Sequence, residues 1–169
     1  MIYLYLFGTC FHFIYVFMII GNNSPRFKFG LDLNASWKGF DARLFFQGVA
    51  KRDAWLGDNM FWGATGDIWQ SACFTPHLDF FREGDDFWSP NTNAYFPRPL
   101  SVNYAKNQQA QTRYLQNAAY VRLKNLSIGY TIPARITSKM GISNLRIFFS
   151  GENLFTLTGL PQGFDPETI

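Results

Sequence analysis

Asn117-Ala118-Ala119-Tyr120-Val121-Arg122-Leu123-Lys124-Asn125-Leu126-Ser127-Ile128-Gly129-Tyr130-Thr131-Ile132-Pro133 decides how the chain is read. It predicts one long β-strand stopped by a proline. Leu126, Ile128, Tyr130 and Ile132 alternate with Asn125, Ser127, Gly129 and Thr131. That period of two belongs to a strand with one apolar and one polar face. Pro133 lacks the N–H that a ladder needs, and it ends the run. Upstream the phase is reversed, with Val121 and Leu123 apolar and Arg122 and Lys124 charged. The slip near Lys124-Asn125 predicts a bulge, or a strand passing from one environment into another.

Three further segments repeat the alternation. From Arg26 to Trp37, the residues Phe27, Phe29, Leu31, Leu33, Ala35 and Trp37 share a face opposite Arg26, Lys28, Gly30, Asp32, Asn34 and Ser36. Such a run, tilted at about 45°, is long enough to cross a bilayer as a strand. Lys38-Gly39 predicts a two-residue hairpin turn. Phe40 to Lys51 returns, with Phe40, Ala42, Leu44 and Phe46 on the apolar face; Phe45 and Gly48 break the pattern. A fourth strand is predicted from Asn144 to Phe155, after a connection over 133–143 with Lys139-Met140-Gly141 as turn chemistry. A soluble sheet with one buried face gives the same alternation. What favours a lipid face is its bulk, with Trp37 and Phe40 bracketing the turn where an interfacial girdle would lie. The connections run tight turn, very long loop, short turn, open loop. Outer-membrane barrels follow that order, with short periplasmic turns and long extracellular loops. The expected fold is all-β: an antiparallel meander of about four long strands from a transmembrane β-barrel, with one long extracellular loop.

Composition narrows the function. Aromatic content is 19% and charged content 16%, in a chain whose apolar fraction of 47% is ordinary. A charge-poor, aromatic-rich chain fits strands and membrane interfaces. A net charge of +3, with no basic run or stacking motif, gives no support for nucleic acid. Cys10 and Cys73 lie in dissimilar regions, and no disulfide is expected. His12 and His77 are isolated, so surface or core roles are expected and no metal. No cofactor is expected. Glu83, Asp85 and Asp86 read as a solvated turn, not as a catalytic pair or a Ca²⁺ loop. No catalytic constellation emerges, and the chain is not read as an enzyme.

Residues 1–20 are almost continuously apolar, without a charged side chain. The length suits a transmembrane helix. The basic start and small-residue cleavage site of a signal peptide are missing. Three readings compete: an anchor, an atypical export signal, or residues read from a start codon inside a broken gene. The last is favoured. The chain is thus divided into a hydrophobic leader of doubtful origin, 1–20, and a partial barrel, 21–169.

Residues 52–116 lack sustained alternation, and so long a segment is functional or disordered as a rule. Its Trp residues argue against simple disorder. Helical turns are predicted around Asn59 to Cys73, and a loop or short helix over Asn107 to Asn117. Aromatic rings stack on sugars or peptides while a polar rim orients the ligand. The candidate ligand-binding residues are Trp62, Trp69, Trp88 and Tyr95; the competing role for these rings is packing the loop on itself.

Tyr120-x-Arg122-Leu123-Lys124-Asn125-Leu126-Ser127-x-Gly129-Tyr130-Thr131-x-Pro133 resembles the late-barrel signature of the SusC/RagA-type TonB-dependent outer-membrane transporters. Gly21 to Arg26, Trp37-Lys38-Gly39-Phe40-Asp41 with Phe46-Gln47-Gly48, Asn93 to Arg98, Asn144 to Phe155 and Gly163-Phe164-Asp165-Pro166-Glu167 resemble other parts of that family, in its order. The resemblance begins at about Gly21. It implies barrels of roughly 22 strands around a plug, importing oligosaccharides or peptides across the bacterial outer membrane. It also implies energy from the TonB complex and a SusD-like surface lipoprotein as lid. On this reading the chain lacks the plug and the last strand, and does not transport alone. The alternative is a small membrane-anchored β-domain that binds carbohydrate through its aromatic loop.

Overall fold

The computed structural model describes residues 2–5, 17–63, 73–84, 88–100 and 104–169. In chain order the strands are β1 (Ile2–Tyr5), β2 (Phe17–Gly21), β3 (Lys28–Trp37), β4 (Phe40–Val49), β5 (Asp53–Trp55), β6 (Leu115–Asn117), β7 (Tyr120–Ile132) and β8 (Leu145–Thr158). Two single-turn helices are α1 (Asn59–Trp62) and α2 (Ala134–Thr137). The chain forms two compact units: residues 22–54 with 116–169, the sheet unit, and residues 1–21 with 55–115, the aromatic unit.

The sheet unit is the expected antiparallel meander, in the order β3-β4-β7-β8. Lys38 and Gly39 close the first hairpin with φ of 46° and 90°. Two successive positive φ values match the right-handed twist of the flanking strands. A Cβ on Gly39 would also lie 2.9 Å from the Thr131 carbonyl oxygen. The ladder runs on past the named strands, since Ala50 N donates to Phe27 O and Arg26 N to Lys51 O.

The phase slip is a bulge at Lys124. Phe45 faces Asn125 and Phe46 faces Leu123, so β4 has no partner for Lys124. On the other side Leu123 faces Phe155 and Asn125 faces Glu152. Asn153, within the skipped part of β8, has φ 53°. The third strand differs from expectation at its start. It does not run unbroken from Asn117; β6 ends there, and β7 begins at Tyr120. The Asn117 side chain bonds to the Ala119 N–H instead of continuing the ladder.

Register sorts the side chains into two faces. Leu31, Leu33, Ala35 and Trp37 oppose Phe46, Leu44, Ala42 and Phe40; these oppose Leu123, Leu126, Ile128 and Tyr130, which oppose Phe155, Gly151, Phe149 and Ile147. This apolar face is exposed: Leu33 45%, Ile128 45%, Phe149 63%, Trp37 69%. The opposite face carries Asp32, Arg43, Asp41, Arg122 and Arg146, and there Val49, Tyr120 and Arg122 are buried. Each departure from alternation, Phe45 and Gly48, meets a β3 residue of complementary size. The Phe45 ring lies over Gly30, and the Phe29 ring over Gly48.

Short connections gather at one end, where Trp37 meets Phe40 and Ile132 faces Leu145. The second connection contains α2, a 3-10 turn at Ser138–Met140, and Gly141 at φ 70°. At the other end β4 and β7 flank the long excursion. A small core of Ala54, Ala118 and Leu160, packed by Phe164 and Ile169, closes that end of the sheet unit.

In the aromatic unit, β1 and β2 pair antiparallel. Thus the described parts of residues 1–20 are strand, where a helical anchor was among the expectations. Among the described residues no helix is long and apolar enough to cross a membrane, which says nothing of strands. The predicted helical turns appear as α1, capped by the Asp58 carboxylate accepting from Phe61 N at 3.0 Å. Part of the polar stretch before β6 is a 3-10 turn at Thr112–Tyr114. Residues 64–72 lie outside the described residues.

Candidate functional site

On the polar face, ion pairs replace apolar packing. Arg43 Nη2 donates to Asp32 at 2.5 Å. Arg146 on β8 bridges over β7 to Asp41 on β4 through its Nε, at 3.0 Å, and Nη2. The bridge crosses Gly129, where a Cβ would lie 2.5 Å from Arg146 Nη2. The glycine that looked like a weak polar position is the gap through which the guanidinium passes.

The densest network surrounds Arg122, which is 9% exposed. A guanidinium so hidden needs paired charge and filled donors. Its Nη2 donates to Asp165 at 2.6 Å and its Nη1 to Glu167 at 2.9 Å. Its Nε donates to Thr156 Oγ1 at 2.8 Å. Lys124 Nζ reaches the same Glu167 oxygen at 2.7 Å, and Tyr120 O–H donates to the other at 3.4 Å. From beside this cluster Arg52 donates to the carbonyls of Asn23, Pro166 and Ile169. The Arg122 hydrogen bond, followed by that from the Glu167 N–H, holds the Asp165 carboxyl below the usual carboxylate range. Lys28, Gln47, Arg52, Tyr120, Lys124 and Glu167 are among the residues lining an open concavity of about 660 Å³ on the sheet unit.

In the sequence Asp165-Pro166-Glu167 stood out only as part of a segment of family resemblance, and Arg122 had no evident partner. The local signal was a charged residue inside a strand core; the partner, more than forty residues on, leaves no local pattern.

The aromatic unit has a conventional core. Phe61, Trp62, Phe96 and Tyr114 are 3–9% exposed. Trp62 meets Tyr114 edge-on at 4.7 Å, and its Nε1 donates to Leu56 O at 2.9 Å. Trp62 is thus packed into this core with its ring buried. Tyr95 is half-buried; its ring stands 5.4 Å from Tyr114, and Arg113 lies over it. Trp88 is 49% exposed; its ring stands 6.4 Å from that of Phe80, and Arg82 lies against both. Trp62 and Tyr95 thus share Tyr114 as a neighbour, while Trp88 packs with Arg82 and Phe80. Trp69 lies outside the described residues, as do Asp85, Asp86, Cys10 and His12. Glu83 pairs with Arg98 at 3.7 Å. His77 is a satisfied core residue: Nδ1 accepts from Phe74 N and Nε2 donates to Phe61 O. The Asn91 amide, then the Tyr95 N–H, hold the Asp79 carboxyl below its ordinary range. Among the described residues no three His, Cys, Asp or Glu side chains gather as metal ligands.

No protein-family model matches the chain. It is 35% identical over 150 residues to TonB-dependent receptor P3 of Formosa agariphila, covering 88% of this chain and 13% of that one. TonB-dependent receptor P26 of the same organism is 24% identical over 152 residues, covering 89% and 14%. Among solved structures, the RagAB peptide transporter matches with a TM-score of 0.61 at 25% identity, over 88% of this chain and 15% of that one. The RagAB peptide importer in its closed-closed state matches with a TM-score of 0.65 at 25% identity, over 95% and 16%. The chain spans about a seventh of the length of these relatives. An exposed apolar face, ion pairs on the other, and these likenesses agree: over most of its length the chain is similar to TonB-dependent receptors and to the RagAB peptide transporter.

Proposed function

We propose that this chain supplies four adjacent strands to the wall of an outer-membrane importer of oligosaccharides or peptides. The observation that carries the reading is the exposed apolar face of β3, β4, β7 and β8, opposite a face of paired charges. In water such a face invites aggregation; in lipid it is the stable arrangement. Residues 50–119 are the outward excursion, and the two short connections face the periplasm. The relatives are named receptors and a peptide transporter, which favours a carrier over an enzyme and a peptide among the cargo classes. A SusD-like lipoprotein lid and energy from the TonB complex complete the machine. Trp88 and Tyr95, with Trp69, are the proposed cargo contacts. The proposed division of the sequence is a hydrophobic leader, 1–20, and a barrel portion, 21–169.

Among the described residues the four-stranded sheet leaves β3 and β8 with unpaired edges, and each unsatisfied backbone group in lipid costs several kcal/mol. The chain alone therefore gives no flux. Liposomes carrying only this chain should show no cargo-specific uptake; uptake above protein-free vesicles overturns that statement. A chain beginning at Gly21 should require detergent. If it is monomeric and folds cooperatively in buffer, the wall assignment fails.

A further inference from the structure

Arg122 sits on the polar face of β7, opposite Gln47 on one side and Thr156 on the other. Neither neighbour carries a compensating charge. Its carboxylate partners come instead from the segment that leaves β8, at the same end where the long excursion leaves β4. That segment is held at several points. Pro166 is fully buried, and Arg52 collects two of its carbonyls. Asp165 Oδ1 accepts from Glu167 N at 3.0 Å, so one carboxylate both folds the turn and takes the guanidinium. The bulge places Lys124 on the same Glu167 oxygen that Arg122 uses.

We propose that Asp165 and Glu167 form a latch on Arg122, with Lys124 as its second post, which fixes the root of the loop after β8 against the polar wall of the sheet. Arg122 is a positioning residue: it sets where that loop starts and keeps the segment from swinging across the 660 Å³ concavity, which Pro166 and Glu167 help to line. The proposal rests on the geometry of the sheet unit and not on the identity of any cargo. Guanidinium shape matters as much as charge, because three separate acceptors are served at once.

The test is amide hydrogen exchange on the full chain in detergent micelles, comparing Arg122→Gln, Asp165→Asn and the double variant. The Phe164 and Thr168 amides, bonded to Pro161 O and Asp165 O, report the latch. Amides of β7 and β8 around Ser127 and Ser150 report the sheet. Each single variant should speed exchange at the latch amides at least tenfold. The double variant should be no faster than the faster single, because the contact that Asp165→Asn removes is already lost in Arg122→Gln. Arg122→Lys should recover only part of the protection. Unchanged exchange in the single variants, or additive effects in the double, overturns the latch. Equal loss at Ser127 and Ser150 also overturns it, since Arg122 then serves the sheet itself. Asp165→Asn lies outside every strand, so it keeps the test open if Arg122→Gln does not fold.

Discussion

Trp37 and Trp62 are the same side chain in opposite settings: one is 69% exposed at the β3–β4 turn, the other 4% exposed inside the aromatic unit. The contrast extends to whole regions. The aromatic unit hides its rings and seals their polar atoms, as Trp62 Nε1 does on Leu56 O. The sheet unit turns its apolar side chains out and keeps Arg122 in. Hydrophobic burial therefore organises the first region, while in the second the apolar face waits for a solvent that is itself apolar. One chain of ordinary apolar fraction thus serves two solvents.

The contrast can be broken most forcefully in the aromatic unit. Trp62→Ala leaves a cavity among Phe61, Tyr114 and Trp55 and should cost about 3–5 kcal/mol. Loss of exchange protection across 55–63 is the readout, and a cost under about 1 kcal/mol would mean that the ring does not hold this core. Leu33→Lys comes next. A cation at the middle of a lipid face should cost about 2–4 kcal/mol in urea titrations from vesicles, while Asn34→Lys, one residue on and facing the other way, should change stability by no more than about 0.5 kcal/mol. Equal costs would mean that the two faces are not distinct. The smallest effect is expected for Gly129→Ala. The new methyl occupies the path of Arg146, and the pair with Asp41 opens. The salt dependence of the unfolding midpoint should weaken relative to the parent; an unchanged dependence would mean that the pair does not need the gap.

The sheet was legible because its information is local. Alternation placed four strands, the reversed phase at Lys124-Asn125 located the bulge, and Lys38-Gly39 announced its turn. The break before Tyr120 was not legible, since Ala118 and Ala119 fit either face of a strand. Residues 2–5 and 17–20, which are strand, show the limit of an almost continuously apolar run, which carries no period to separate strand from helix. The Trp residues in 52–116 marked an ordered region, but ring type alone does not tell a core ring such as Trp62 from a half-exposed one such as Trp88. Arg122 was hardest to read. Its role depends on a carboxylate brought close by the fold, and charge pairing across such a separation has no periodic trace in sequence.

The bulge has a consequence for how such a chain tolerates changes of length. Within β7, adding or removing one residue sends every side chain beyond it to the other side, charges into lipid and rings into water. Lys124 is a place where the strand already holds one residue more than β4 can match. Single-residue gains and losses during divergence should therefore be absorbed at this position, or in the loops of the 50–119 excursion, outside its short strands. The bulge then acts as an expansion joint: it lets the wall change length by one step without changing which side is wet.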